Sequence, residues 1–182
     1  MGSAFVSRTY TPMDWNAAEG RTRILGYMHG EGPGSAWLRG LRAGHEYHLF
    51  GPRSPLDAGR ATAALAVFGD ETSIGLAHAL ASTDRAGAVS CCFEIGDIES
   101  CGQALARLGL EGATPVTKRE DYGHVNDMGA ALGAPIAAGA SFVLTGKAGT
   151  IQRLRQDLKR RRVPAARILT KAYWAPGKQG LD

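Results

Sequence analysis

The feature that most constrains this chain is a change of rhythm near Leu65. From there to the C-terminus, short apolar runs alternate with helical patterns, the mark of βαβ units around a parallel sheet. Ala64 to Phe68 reads as a strand ending at Gly69, and Thr72 to Ala81 as a helix. Gly87 to Phe93 is a second strand, followed by a helix over Ile98 to Leu108 that Gly109 ends, and by a third helix over His124 to Leu132. Ser141 to Thr145 reads as a buried strand, Ala148 to Arg161 as a helix and Arg167 to Tyr173 as a last strand. Before the change the runs are β-like: Phe5 to Thr11, Arg23 to Met28 and Glu46 to Phe50, with Gly-rich turns between them. The expected organisation is therefore α/β, with an all-β fragment over residues 1–60 and a Rossmann-like parallel sheet over 61–182.

At 182 residues the chain can bury a real core. Its 25 Gly and 8 Pro predict turns and close backbone approaches. The longest apolar stretch, Ala130 to Leu144, is mostly Gly and Ala and is broken by Pro135, so no membrane span is expected. No secretory signal opens the sequence, and a cytoplasmic protein is the expectation. Cys91, Cys92 and Cys101 have neither a paired framework nor metal-ligand spacing, so they read as buried thiols. The net charge of +4 suits an anionic partner without naming one. Much of it lies between Arg153 and Arg162, where Ile151, Leu154 and Leu158 face inward and the cations suit a solvated helix C-terminus. No nucleic-acid-binding pattern supports the other reading of that run.

Five motifs carry the candidate chemistry. In Arg8-Thr9-Tyr10-Thr11-Pro12, alternation puts Arg8 and Tyr10 on one face, where a guanidinium and an aromatic ring suit a phosphate and a flat ring system. His29-Gly30-Glu31-Gly32-Pro33-Gly34-Ser35-Ala36-Trp37 offers close backbone approach. Ser35 is expected to cap a short helix whose free N–H groups face an anion. It is neither the dinucleotide fingerprint nor a P-loop, and a plain turn fits it as well. Gly69-Asp70-Glu71-Thr72-Ser73 lies at the carboxyl edge of the sheet, where ligands bind in open α/β folds, although Thr72 and Ser73 equally suit a helix cap. Gly146-Lys147 repeats that position after the later strand. Lys171-Ala172-Tyr173-Trp174 with Gly177-Lys178 sets aromatics beside cations at the chain's end.

Taken in order, Arg8-Thr9-Tyr10-Thr11, His29-Gly30 through Ser35-Ala36-Trp37, Gly51-Pro52-Arg53, Gly69-Asp70-Glu71-Thr72 and Lys171-Ala172-Tyr173-Trp174 resemble the siderophore-interacting protein family. Those proteins are FAD-dependent ferric-siderophore reductases related to the ferredoxin–NADP reductases. The resemblance implies a Greek-key FAD-binding β-barrel followed by an NAD(P)H-binding domain. It implies that Arg8 contacts the FAD phosphates, that Tyr10 and Thr11 lie against the isoalloxazine, that the helix start at Ser35, Ala36 and Trp37 cradles the pyrophosphate, and that His29 and Gly30 belong to the same cofactor site. Thr72, with Asp70 and Glu71, falls at the mouth where nicotinamide meets flavin, and Tyr10 and Thr72 are the residues expected nearest the reacting rings. Gly146 falls on the nicotinamide side and Trp174 near the flavin or adenine. Lys171, Lys178 and Arg53 are the cations expected to draw in an anionic ferric siderophore. Flavin bridges two-electron and one-electron chemistry, so electrons from NADH, NADPH or a ferredoxin reduce Fe(III), and the poorly held Fe(II) leaves.

This sequence departs from the family at its front. The Arg-x-Tyr-Thr strand, midway through the family's barrel, starts here at residue 8, and about three barrel strands are counted where six are expected. A chain lacking the N-terminal part of the FAD barrel is the resulting expectation, with FAD retention as its open consequence. Glu94, read as following the second strand, is expected to accept from a ribose diol and favour NADH, while the basic helix after Gly146 points to NADPH or an acidic ferredoxin. Two further functions stay open: a non-catalytic module binding an anion or nicotinamide, and a general flavin reductase or electron-transfer module whose acceptor is not iron.

Overall fold

A computed structural model describes residues 9–48, 56, 64–83 and 87–178. Its first strands, Pro12–Asn16 (β1) and Arg21–Ile24 (β2), form an antiparallel hairpin with Asp14 opposite Arg23 and Trp15 opposite Thr22. Asp14 fixes the register by accepting from the Arg23 backbone at 3.0 Å and pairing with its guanidinium, while Gly20, at φ 62°, turns the chain. Of the strand expected over Phe5 to Thr11, residues 5–8 are outside the described residues, 9–11 precede the strand, and β1 starts at Pro12. A proline lacking its N–H is tolerated at a strand's first position, so it opens the strand instead of closing one. The strand expected over Arg23 to Met28 stops at Ile24, and residues 46–48 have no regular structure. Helix α1, Pro33–Gly40, follows the hairpin.

The second part is a five-stranded parallel sheet. Leu65–Asp70 (β3) leads through a 3-10 turn at Glu71–Ser73 into Ile74–Ala81 (α2), then Val89–Ile95 (β4), Ile98–Arg107 (α3) and Thr114–Thr117 (β5). His124–Ala131 (α4) and Gly133–Ala137 (α5) lead to Ser141–Lys147 (β6), Ala148–Arg160 (α6) and Ile168–Trp174 (β7). The strand order is β5-β4-β3-β6-β7, so the chain leaves β3 in one direction and returns to its other side with β6. That reversal opens a crevice at the carboxyl ends of β3 and β6, where open α/β sheets bind ligands.

Strand alternation sorts the core into two layers. Leu65, Val67, Cys91, Phe93 and Ile95 pack with Ile74, Ala77, Cys101 and Leu105 of α2 and α3. Ala66, Phe68, Cys92, Phe142 and Leu144 pack on the other side with Met128, Leu132, Ile151, Leu154 and Leu158. Adjacent Cys91 and Cys92 thus face opposite layers, and all three cysteines are buried and free. The hairpin rests on the first layer. Met13 and Leu25 approach Gly75 of α2, where a Cβ would meet them at 3.3 to 3.4 Å. On α6 the apolar positions are buried while Arg153, Arg155 and Lys159 to Arg162 are exposed, as expected of a solvated helix end.

Two elements carry no sequence signal. β5 is four residues long, contains Pro115 and is mostly exposed at the sheet edge, so no apolar run marks it. α5 holds Gly133 and Pro135, which read as a break, but Pro135 sits in the first turn, where its missing N–H is not required. Among the described residues, no helix is long and apolar enough to cross a membrane.

Candidate functional site

Asp70 ends β3, and its side chain is fully buried at the crevice. One oxygen, Oδ1, accepts from the Thr72 backbone at 2.9 Å and from the Thr72 hydroxyl, and the other accepts from Trp174 Nε1 at 2.6 Å. The cap of the 3-10 turn is therefore Asp70, in a capping box with Ser73, and not Thr72 or Ser73 alone. Burial pushes the Asp70 carboxyl above its ordinary value, and the bonds from Thr72 and Trp174 pull the other way. Gly146 makes the room: it sits at φ 96°, and a Cβ there would fall 2.6 Å from the Asp70 carboxyl.

The barrel side reaches the same place. Thr11 Oγ1 lies 3.5 Å from the Tyr173 hydroxyl. Burial raises the Tyr173 phenol, against hydrogen bonds with Thr11 and Thr145, and the Asp70 carboxylate adds to the rise. Asp70, Thr72, Gly146 and Trp174, named from distant parts of the sequence, are thus brought together, and Thr11 reaches the same strand through Tyr173. Glu71 is adjacent but turned inward. It accepts from the Gly96 backbone at 2.7 Å and pairs with Lys118, so it holds the ends of β4 and β5. The Tyr27 phenol, beyond β2, is pushed up to about 12 by burial and then by this carboxylate.

Glu94 corrects the sequence reading. It lies within β4, not after it, and is 1% exposed. Its oxygens accept from His124 Nε2 at 2.7 Å and Thr150 Oγ1 at 2.7 Å, so both are already engaged by protein partners and the carboxylate is not held ready for a ribose diol. His124 and Thr150 were not among the expected site residues. The available signal was a carboxylate inside an apolar strand, which requires a buried partner.

Beside this cluster a cavity of about 300 Å³ is lined by Lys118, Arg119, Tyr122, His124, Lys147 and Trp174, with Glu94 and Glu120. The Lys147 ammonium lies 4.1 Å from the Tyr122 ring centre and 5.6 Å from that of Trp174. Lys118 is shared with Glu71 and Arg119 with Asp127 at 2.8 Å, while Lys147 faces the two aromatic rings; three cations and two aromatic faces at the carboxyl edge of a parallel sheet suit a flat ring that carries phosphate.

A second cluster surrounds α1. The Trp37 ring lies 5.3 Å from Tyr10 and 5.5 Å, edge-on, from Tyr47. Gly32, not Ser35, is the N-cap of α1, and no side chain caps its N–H groups. Ser35 is buried inside the first turn, its hydroxyl donating to the His29 carbonyl at 2.8 Å and accepting from the His29 backbone at 3.0 Å. It shapes the Gly-rich turn rather than capping the helix. Open space lies over Gly30, at φ 55°, and Gly32, and Ala36 is exposed beside them. An uncapped helix start facing open space, next to an aromatic pair, fits a ligand with phosphates and a flat ring such as FAD. His29 stacks on Tyr27 with ring centres 5.6 Å apart. Lys171 is half-buried in β7, and Lys178 is exposed beyond it. Arg8 and Arg53 lie outside the described residues. Among the described residues no three His, Cys, Asp or Glu side chains are grouped as a metal site.

Residues 2–56 match the family model of the siderophore-interacting FAD-binding domain. In fold the chain is similar to the siderophore-interacting protein of Acinetobacter baumannii, at 18% identity and a TM-score of 0.72 over 94% of this chain and 71% of that one. It is similar to SipS of Aeromonas hydrophila, at 20% identity and 0.70 over 96% and 79%. It also resembles the FAD/NAD-binding domain of a nitric oxide dioxygenase from Vibrio cholerae, at 16% and 0.54 over 93% and 77%. No curated protein matches the chain significantly. The resemblance read from the sequence is thus met twice: residues 2–56 match the siderophore-interacting FAD-binding domain, and the chain takes the fold of the siderophore-interacting proteins.

Proposed function

We propose that the chain is a flavin-dependent oxidoreductase that reduces ferric siderophores with electrons from NADPH. Residues 1–60 serve the flavin and 61–182 the nicotinamide nucleotide. The observation that carries this reading is the contact of Thr11 with Tyr173, whose phenol feels the Asp70 carboxylate held by Thr72 and Trp174, so that the flavin-side segment meets the strand that closes the crevice. FAD, when bound, supplies the step from a two-electron donor to a one-electron acceptor, which no side chain of the protein can supply. The chain's own residues bind and orient. Tyr10 and Trp37 give the flavin an aromatic wall, and the uncapped start of α1 faces its phosphates, with Arg8 assigned to the same phosphates. The Asp70–Thr72–Trp174 cluster shapes the mouth where the two rings meet. Lys118, Arg119 and Lys147 favour the phosphorylated nucleotide. Lys171, Lys178 and Arg53 add positive charge for an anionic chelate.

The deciding experiment is the visible spectrum of the purified chain after FAD is added and the excess removed. A retained flavin spectrum that bleaches with NADPH and recovers on adding a ferric siderophore, faster than with a quinone, is the expected result. A folded chain that retains no flavin overturns the reading and leaves a nucleotide-binding module.

A further inference from the structure

We infer that Glu94, His124 and Thr150 form a positioning device that holds the loop between β5 and α4 in the shape that distinguishes a 2′-phosphorylated nucleotide from its unphosphorylated counterpart. The inference rests on the nucleotide site proposed above and adds what sets its selectivity.

Glu94 is the penultimate residue of β4, with Phe93 and Ile95 as fully buried neighbours, where a packed apolar residue would serve stability at least as well. Its partners are hydroxyl and imidazole groups, not a Lys or Arg. The ring of His124 is 2% exposed and is used on both edges. Its Nδ1 accepts from the Arg119 backbone at 3.0 Å, so the ring proton is on Nε2 and is donated to Glu94. A chain of hydrogen bonds therefore runs from Thr150 on α6 through Glu94 and His124 to the main chain of a cavity-lining loop.

That loop needs holding. Tyr122 stands at φ 58°, a left-handed conformation that is costly for an aromatic residue, and this turn directs its ring over Lys147. The pinned amide belongs to Arg119 and follows Lys118, so two of the cavity's three cations flank the anchor. A loop released at the Arg119 amide would move these cations and the Tyr122 ring while the sheet beneath kept its apolar packing. Affinity for the extra phosphate would fall most, because two of the cavity's three cations ride on the released loop, and affinity for the rest of the nucleotide, which keeps Trp174 and Lys147, would fall less.

The test is calorimetric titration of the full chain with adenosine 2′,5′-bisphosphate and with 5′-AMP, which needs neither flavin nor turnover. The unaltered chain is expected to favour the bisphosphate by about tenfold. Glu94→Gln, whose carbonyl still accepts from His124 and whose amide can donate to Thr150, is expected to keep that ratio. Glu94→Leu and His124→Phe are expected to bring it within about twofold of unity, with a much smaller loss of 5′-AMP affinity than of bisphosphate affinity. Retention of the ratio in folded Glu94→Leu or His124→Phe overturns the inference, as does a parallel loss for both ligands. Hydrogen exchange of the unaltered chain provides a check without mutation: the Arg119 amide is expected to be protected, and free exchange there also overturns it. An unaltered chain that binds both nucleotides equally defeats this inference alone. One that binds neither defeats it together with the nucleotide site.

Discussion

The indole of Trp174 donates a 2.6 Å hydrogen bond to the carboxyl of Asp70, 104 residues earlier in the chain. The bond joins the end of the edge strand β7 to the end of the central strand β3 across β6, which lies between them. It passes where β6 narrows to Gly146. The crevice that open α/β sheets leave for a ligand is thereby given a floor of one carboxylate and a wall of one indole.

Gly146→Ala tests that arrangement directly. The new methyl would meet the Asp70 carboxyl at 2.6 Å, on a backbone at φ 96° that L-residues rarely adopt. Loss of about 2–4 kcal/mol in urea unfolding is expected from strain and overpacking together. An unchanged midpoint would show that Asp70 can move away without cost.

Asp70→Asn keeps the shape and removes one acceptor, so either Trp174 or Thr72 loses its partner, at about 1–3 kcal/mol. The pH dependence gives a second readout. Because burial raises the folded carboxyl above its ordinary 3.8, this group's contribution to stability is full below that value and declines as pH rises through the folded one. Asp70→Asn is expected to flatten that decline as pH rises above the ordinary carboxylate value towards neutrality. Unfolding midpoints measured across this range decide it.

The thiols make a prediction at the other end of the scale. Burial pushes Cys91 from 9.0 up to about 11, and Cys92, with smaller help from Cys91 and Glu94, to about 12. Thiolate is thus disfavoured in the fold. The contribution of these groups is full below the unfolded value near 9 and is lost as pH rises towards 11 and 12. Alkylation by iodoacetamide at pH 8 is expected to be slow in the native chain and fast in urea. Equal rates would show that these thiols are open to solvent.

On the flavin side, Trp37→Ala removes a ring in contact with both Tyr10 and Tyr47. A loss of FAD affinity of at least about tenfold is expected, read from quenching of flavin fluorescence. Undiminished binding would place the flavin elsewhere.

Lys147→Ala takes away the cation that lies between Tyr122 and Trp174. KM for NADPH is expected to rise about fivefold or more, with kcat nearly constant, since the group binds and does not react. A fall in kcat at unchanged KM would reassign Lys147 to the chemistry.

The α/β alternation after Leu65, the central strands and the inward stripe of α6 were legible in the sequence, because period-two and period-3.6 burial leave a pattern wherever an element is apolar on one side. So were the motifs that meet at the crevice, because Gly and small polar residues are required where backbone and ligand approach closely. β5 and α5 were not legible: one is mostly exposed at an edge and the other is built around a proline, so neither buries enough to leave a period. The roles of Ser35 and Glu94 were misread for a different reason. A hydroxyl near a helix start and a carboxylate near a strand end have the same local appearance whether they face a ligand or the interior. Partners such as His29 for Ser35, and His124 and Thr150 for Glu94, decide which it is, and the two that bind Glu94 lie 30 and 56 residues away. The sequence by itself determined the four apolar strands of the sheet, β3, β4, β6 and β7, and which residues can carry phosphate chemistry, since those follow from local geometry. Only the tertiary structure decided which carboxylates are already satisfied, because a hydrogen bond between distant strands leaves no trace in the spacing of residues along the chain.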